Sequence, residues 1–398
     1  MALLGALGLV LAACGAEADP QPEPVEETDV EAGSEEAADD ADVAEDADAA
    51  ADDADRLQIV ATTSIIGDLV ANVTGDDAEV TVLMAPGVDP HGYEPSASDG
   101  RILREADLVV ANGLMLEENL VSVLEAVEEE GGNVLSLAEQ LDPIDFDWDG
   151  PGHDDHGQDG DDHGHDDQDD HGHDNDDHGH DGDDDHGHDD QDDHGHDDHD
   201  DHGHDDHDGH AHADEDPHFW FDPLRTSDAV GMIAEAIAEL DDRLEADEWM
   251  ARADAYAEQL VELDEEMLEM FETIPEANRS LVTNHDALGY LAYRYDFEVL
   301  GTVIPGSSTQ AETDARGFAE LVETLEEAGV EVVFADNTDS TVLAEQLASE
   351  VVGRSDLDVQ VVELYTGSLG EPGSGADSYL GMLRTTSALI TEALGGTV

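Results

Sequence analysis

From Leu57 onward, short apolar runs alternate with stretches whose apolar positions recur at helical spacing. Residues 57–62 predict a strand, 65–73 a helix, 79–84 a strand, 98–106 a helix, 108–111 a strand, 117–129 a helix and 133–137 a strand. After a long polar interruption, Ser227 can cap a helix running to 244, and Asp247 can start another running to 273. The second would be about 40 Å long at 1.5 Å per residue, which suits a spine between lobes better than a layer within one. Alternation then resumes, with strands at 281–284, 298–304, 331–335 and 359–364, helices between them, and a last helix at 378–393. Strand–helix alternation of this pitch predicts parallel sheets covered by helices. The expected fold class is α/β, with two doubly wound parallel-sheet lobes joined by one long helix. A chain of 398 residues is long enough for two ordinary domains, so one compact core is not expected.

Two segments fall outside the pattern. Residues 15–55 are mostly Ala, Asp, Glu and Pro with almost nothing to bury, and read as a disordered, charge-extended tether. Residues 153–212 hold 18 of the 21 histidines, interspersed with aspartates and without a bulky apolar residue. They too should be disordered. The partition expected is a signal at 1–14, the tether at 15–55, a first lobe at 56–145, an Asp/His-rich loop at 146–215, a connection with the long helix at 216–276, and a second lobe at 277–398.

Charge narrows the partners. The formal net charge is −95, from 106 acids against 11 basic residues, all of them arginine. Such a surface repels nucleic acid and anionic lipid and attracts cations, so nucleic-acid binding is excluded. The one cysteine, Cys14, rules out an internal disulfide. It stands in Leu11-Ala12-Ala13-Cys14-Gly15 after an apolar run, and so looks like the end of a lipoprotein signal, although that signal's usual positive charges are missing. No other apolar stretch reaches the length of a membrane span. The expectation is an extracytoplasmic monomer whose membrane contact is a lipid on Cys14.

Three histidines lie outside the run. His91 follows a strand in Asp89-Pro90-His91-Gly92-Tyr93-Glu94-Pro95, His218 precedes a helix in Asp216-Pro217-His218-Phe219-Trp220-Phe221-Asp222-Pro223, and His285 ends a strand in Asn284-His285-Asp286-Ala287-Leu288-Gly289-Tyr290. Ligands of open parallel sheets bind beyond the carboxyl ends of strands, where His91 and His285 are expected. In both Asp-Pro-His tripeptides proline stiffens the turn that presents the imidazole, and the aspartate can orient it. Histidine ligands without a carboxylate suit zinc, copper or nickel better than manganese. Neutral imidazoles are required, so affinity should fall below about pH 6.5.

On these motifs the chain resembles the substrate-binding proteins of bacterial zinc and manganese ABC transporters, most closely the zinc type. The likeness covers about residues 57–398 and rests on Pro-His-Xaa-Tyr-Glu-Pro, Asp-Pro-His-Xaa-Trp-Xaa-Asp-Pro and His-Asp-Ala-Leu-Gly-Tyr, the last with Leu288 where the family has Phe. It implies one tight Zn²⁺ held by His91, His218 and His285 in a cleft between lobes, no catalysis, and delivery of the ion to an ABC-transporter permease. Many members add a carboxylate after the last strand; Gly367 takes that place here, leaving water, Asp377 or Glu312 as the fourth ligand. Manganese members resemble the chain too, but carry Glu where His285 stands.

His-Gly-His recurs at 163, 171, 178, 186, 194 and 202, and pairs of these imidazoles can chelate further ions weakly. Ordering a flexible loop costs entropy that a preformed site avoids, so a gathering role is expected rather than tight storage. Two other functions compete: a surface metal buffer or adhesin without a transporter, and a His₃-zinc hydrolase. The second lacks a His-Glu-Xaa-Xaa-His pair or a nucleophile turn.

Overall fold

A computed structural model describes residues 56–144, 215–306, 308–311, 313 and 315–398. The tether, the signal and the Asp/His-rich run, with Cys14 and the 18 clustered histidines, lie outside the described residues, as does Glu312.

The first lobe contains β1 (Leu57–Ala61), α1 (Ser64–Thr74), β2 (Ala78–Val82), α2 (Ala97–Glu105), β3 (Leu108–Ala111), α3 (Val121–Glu129) and β4 (Val134–Ser136). The second contains β5 (Ser280–Thr283), α6 (Gly289–Tyr295), β6 (Glu298–Thr302), α7 (Ala315–Ala328), β7 (Val332–Asp336), α8 (Val342–Arg354), β8 (Gln360–Leu364) and α9 (Tyr379–Ala393). Between them run α4 (Pro223–Leu240) and α5 (Ala246–Glu272). The sheets are parallel and repeat one topology, β2-β1-β3-β4 and β6-β5-β7-β8. The strand order therefore reverses beside β1 in one lobe and beside β5 in the other. A crevice opens at such a point beyond the strand ends, and loops from β1, β3, β5 and β7 reach it.

Local chemistry explains most element boundaries. Thr63 caps α1 by accepting from the Ile66 N–H at 3.2 Å, and Ser96 and Asp99 form a reciprocal capping box on α2. Ser378 caps α9. Two expectations need correction. Helix α4 starts at Pro223 rather than after Ser227, because Asp222 accepts the Leu224 N–H at 3.0 Å and proline is pre-set for the first helical position. Helix α3 starts at Val121 rather than 117, because Gly113, Leu114 and Met115 take left-handed conformations and turn the Glu117 carboxylate back onto the Asn112 and Gly113 N–H groups.

The long helix does act as a spine, but not between two independent cores. Its buried positions, Trp249, Ala253, Tyr256, Leu260, Leu263, Met267 and Phe271, recur every three or four residues. Their apolar contacts run without a break from Ile59 and Leu69 in the first lobe to Leu281, Tyr290 and Leu383 in the second. Smaller clusters lie on the far faces, around Val60 and Leu103 in the first lobe and Val282 and Leu347 in the second. In β1, Ile59 and Ala61 face the shared core while Val60 faces the outer cluster, so both sheet faces are buried. Arg294 of α6 grips the Asp264 carboxylate of α5 with two nitrogens, at 2.7 and 2.5 Å. The lobes are thereby fixed to one continuous interior. Among the described residues no helix is long and apolar enough to cross a membrane.

Candidate metal centre

The crevice collects all three singled-out histidines. His91 comes from the loop after β2, His218 from the segment leading into the Phe219–Phe221 turn, and His285 from the end of β5. Each offers one nitrogen within 4.8 Å of the others, and the ring centroids are 5.3–5.6 Å apart. A tetrahedral ion with bonds of about 2.0–2.1 Å needs nitrogens about 3.4 Å apart, which modest side-chain rotation supplies. All three residues are at least 97% buried: His91 and His285 are 3% exposed and His218 1%.

The two Asp-Pro-His tripeptides fold alike and then diverge. In each, the aspartate accepts the histidine backbone N–H, at 3.0 Å for Asp89–His91 and 2.9 Å for Asp216–His218. Asp216 also meets His218 Nδ1 at 2.7 Å, which fixes the proton there and leaves Nε2 buried without a partner. Asp89 instead crosses to the second lobe, accepting from Thr309 Oγ1 at 2.7 Å. The His218 segment is pinned on several sides: Tyr290 donates to the Asp216 carbonyl at 3.0 Å, Asn112 to the Pro217 carbonyl at 3.0 Å, and the Trp220 indole to the Thr366 carbonyl at 3.0 Å.

Electrostatics favour uncharged rings. Burial, with His218 and His285 nearby, holds the His91 imidazole well below its ordinary value. Burial also lowers His285, against the opposing pull of Asp336. Burial pushes the neighbouring Asp286 carboxyl up to about 7, helped by the charge of Asp216. At His91 and His285, lone pairs rather than protons therefore face the crevice at neutral pH.

Residues that the motifs did not reveal complete the surroundings. Asp336, at the end of β7 and 2% exposed, brings Oδ2 to 3.3 Å from His285 Nδ1. Glu118 lies 3.8 Å from His91 Nδ1 and takes a hydrogen bond from Ser308 across the crevice. Glu117 is buried and receives Thr62 Oγ1 at 2.5 Å, so it supports the loop that carries Asn112. The strand-end rule was the available signal for Asp336, since a strand ending there was expected. Nothing in the sequence distinguishes Glu118 from its acidic neighbours.

The candidate fourth ligands fare differently. Asp377 is exposed and accepts the Gly373 N–H at 2.7 Å, and among the described residues the converging group is the three histidines without it. Gly367 does border the centre: a Cβ there would lie 3.0 Å from Thr338 Oγ1 and 3.4 Å from Pro90 Cδ.

Comparison with known proteins places this geometry among metal-binding proteins. A family model described as zinc-uptake complex component A, periplasmic, matches residues 59–393. The manganese-binding lipoprotein MntA of Bacillus subtilis is 29% identical over 350 residues, spanning 85% of this chain and 90% of its own. The zinc-binding protein TroA of Treponema pallidum is 26% identical over 338 residues, 84% of this chain and 88% of its own. A solved structure of periplasmic TroA superposes with a TM-score of 0.65 at 25% identity, covering 85% of this chain and 99% of that one.

Proposed function

Because the chain belongs to the zinc-uptake complex component A family, a family of solute-binding proteins rather than enzymes, we propose that it captures Zn²⁺ on His91, His218 and His285 and delivers it to an ABC-transporter permease. The observation that carries this reading is the convergence of three buried imidazole nitrogens with no carboxylate among them. Relatives are named for zinc and for manganese, so family membership alone does not select the ion. The donor set favours zinc: manganese prefers oxygen ligands, and nitrogen donors suit the later metals. We take water as the fourth donor of a tetrahedral set: Asp377 is committed elsewhere and Gly367 offers no side chain, while Glu312 lies outside the described residues.

Capture follows from the surroundings of the rings. A hydrated ion entering the crevice exchanges its waters for three preoriented nitrogens, with the His218 tautomer already set by Asp216. Bonds between lobes, from Thr309 to Asp89, from the Gly87 N–H to Ser368 Oγ at 2.7 Å, and between Ser64 Oγ and Ser368 Oγ at 3.0 Å, hold the crevice shut over the ion. Docking on the permease breaks some of these bonds and frees the ion. A lipid on Cys14 keeps the monomer at the outer face of the membrane, and the Asp/His-rich run gathers zinc weakly near the crevice.

Zinc titration of a variant lacking residues 153–212, against a competing chelator, tests the proposal. One tight ion is expected, with at least a hundredfold weakening in each of His91→Ala, His218→Ala and His285→Ala. Tight binding that survives all three substitutions would refute the assignment.

A further inference from the structure

Three neutral imidazoles bring no charge to a divalent cation. A buried +2 ion held by them alone would be poorly compensated, because burying charge is costly unless it is paired. A carboxylate within the ligand set would answer this, but Gly367, beside Thr338 and Pro90, offers no side chain.

The crevice contains two carboxylates placed behind the ligands. Asp216 is 1% exposed and sits 2.7 Å from His218 Nδ1, and Asp336 is 2% exposed and sits 3.3 Å from His285 Nδ1. Among the described residues the ion-pair partner of each is an imidazole, not an arginine. Asp336 is held in a specific way. Its Oδ1 accepts both the Thr338 N–H, at 2.9 Å, and the Thr338 hydroxyl, at 2.8 Å. Its Oδ2 is buried, has no hydrogen-bond partner and faces His285. Thr338, which fixes this carboxylate, is also the residue that a side chain at position 367 would touch.

We infer that Asp336 is the positioning residue for His285 and, with Asp216, supplies the two negative charges that neutralise the bound cation. It acts through the outward ring nitrogen of His285, so that Nε2 is the nitrogen presented to the ion. As the ion polarises the ring, the Nδ1–H strengthens its interaction with Oδ2. Glu118, 33% exposed and 3.8 Å from His91, is too far out and too well solvated to do the same. Neutralisation from behind the ligands serves in place of a carboxylate within the ligand set. It also leaves the fourth position open to water, which a departing ion needs.

The inference rests on the zinc-capture reading and is tested in the full chain by Asp336→Asn. The amide oxygen can still accept from Thr338, so the substitution removes the charge while keeping the brace. Zinc affinity is read with a chelator strong enough to strip flexible histidines but not the parent crevice. We expect zinc to bind about 10–100-fold more weakly in Asp336→Asn. The metal-free protein should unfold at the same temperature or higher, because a buried charge without an arginine has been removed. Asp336→Glu should recover part of the lost affinity. Affinity within about twofold of the parent overturns the inference, as does a fall in metal-free stability with no rescue by Asp336→Glu, which would make Asp336 a fold brace only. Failure of the parent itself to bind one tight zinc would refute the underlying reading instead.

Discussion

Acidification should separate the crevice from the Asp/His-rich run. A free imidazole titrates near 6.5, so lowering the pH from about 7.5 to about 5.5 costs it roughly tenfold in available lone pair. Three such imidazoles binding one ion would lose about a thousandfold in affinity. In the crevice, burial holds His91 and His285 below that value. Two of the three factors therefore shrink, and the loss should fall well short of a thousandfold. The sign for stability follows from the same shifts. Below 6.5 the unfolded chain takes up protons that the folded His91 and His285 resist, so their contribution is complete above that pH and falls away as the pH drops toward their lowered values. For His91 and His285 the fall that the sequence led us to expect below about 6.5 should therefore begin at lower pH. The assay is chelator competition across this range, in the parent and in a variant lacking residues 153–212. Weak sites in the parent should vanish first while one tight ion persists in both. A thousandfold loss in the deletion variant would refute the reasoning.

Other outcomes follow from single features. Gly367→Asp should raise manganese affinity relative to zinc by roughly tenfold, about 1.4 kcal/mol, once Thr338 shifts to accept the new Cβ at 3.0 Å; competition between the two metals checks it. Trp249, fully buried on the long helix, should cost about 3–5 kcal/mol when replaced by Ala, read by denaturant melting, while the stoichiometry of one tight zinc remains. Deleting residues 153–212 should slow zinc-limited growth without changing the tight site, and unchanged uptake would remove the gathering role.

The sequence revealed the three converging histidines better than the residues around them. His91, His218 and His285 stood out because only three histidines lie outside the run, and two of them follow the same Asp-Pro pair. Asp216 was legible for the same reason, being two residues from its imidazole. Asp336 was only half legible: the strand-end rule pointed to its neighbourhood, but it meets His285 through the pairing of β5 with β7, and one acid among 106 has no compositional signal. Helix α3 was misplaced at its start because Glu117, a good helix former, is used to satisfy backbone N–H groups of a left-handed turn. The two lobes were expected from the alternation of elements. Their shared interior was not, because periodicity shows that a helix has an apolar stripe but not which elements it will face.

The most direct test of the central claim is zinc-edge X-ray absorption on the variant lacking residues 153–212, loaded with one equivalent of zinc. Three imidazole nitrogens and one oxygen at about 2.0–2.1 Å are expected. A shell of five or six oxygens and nitrogens, or fewer than three imidazoles, would contradict it.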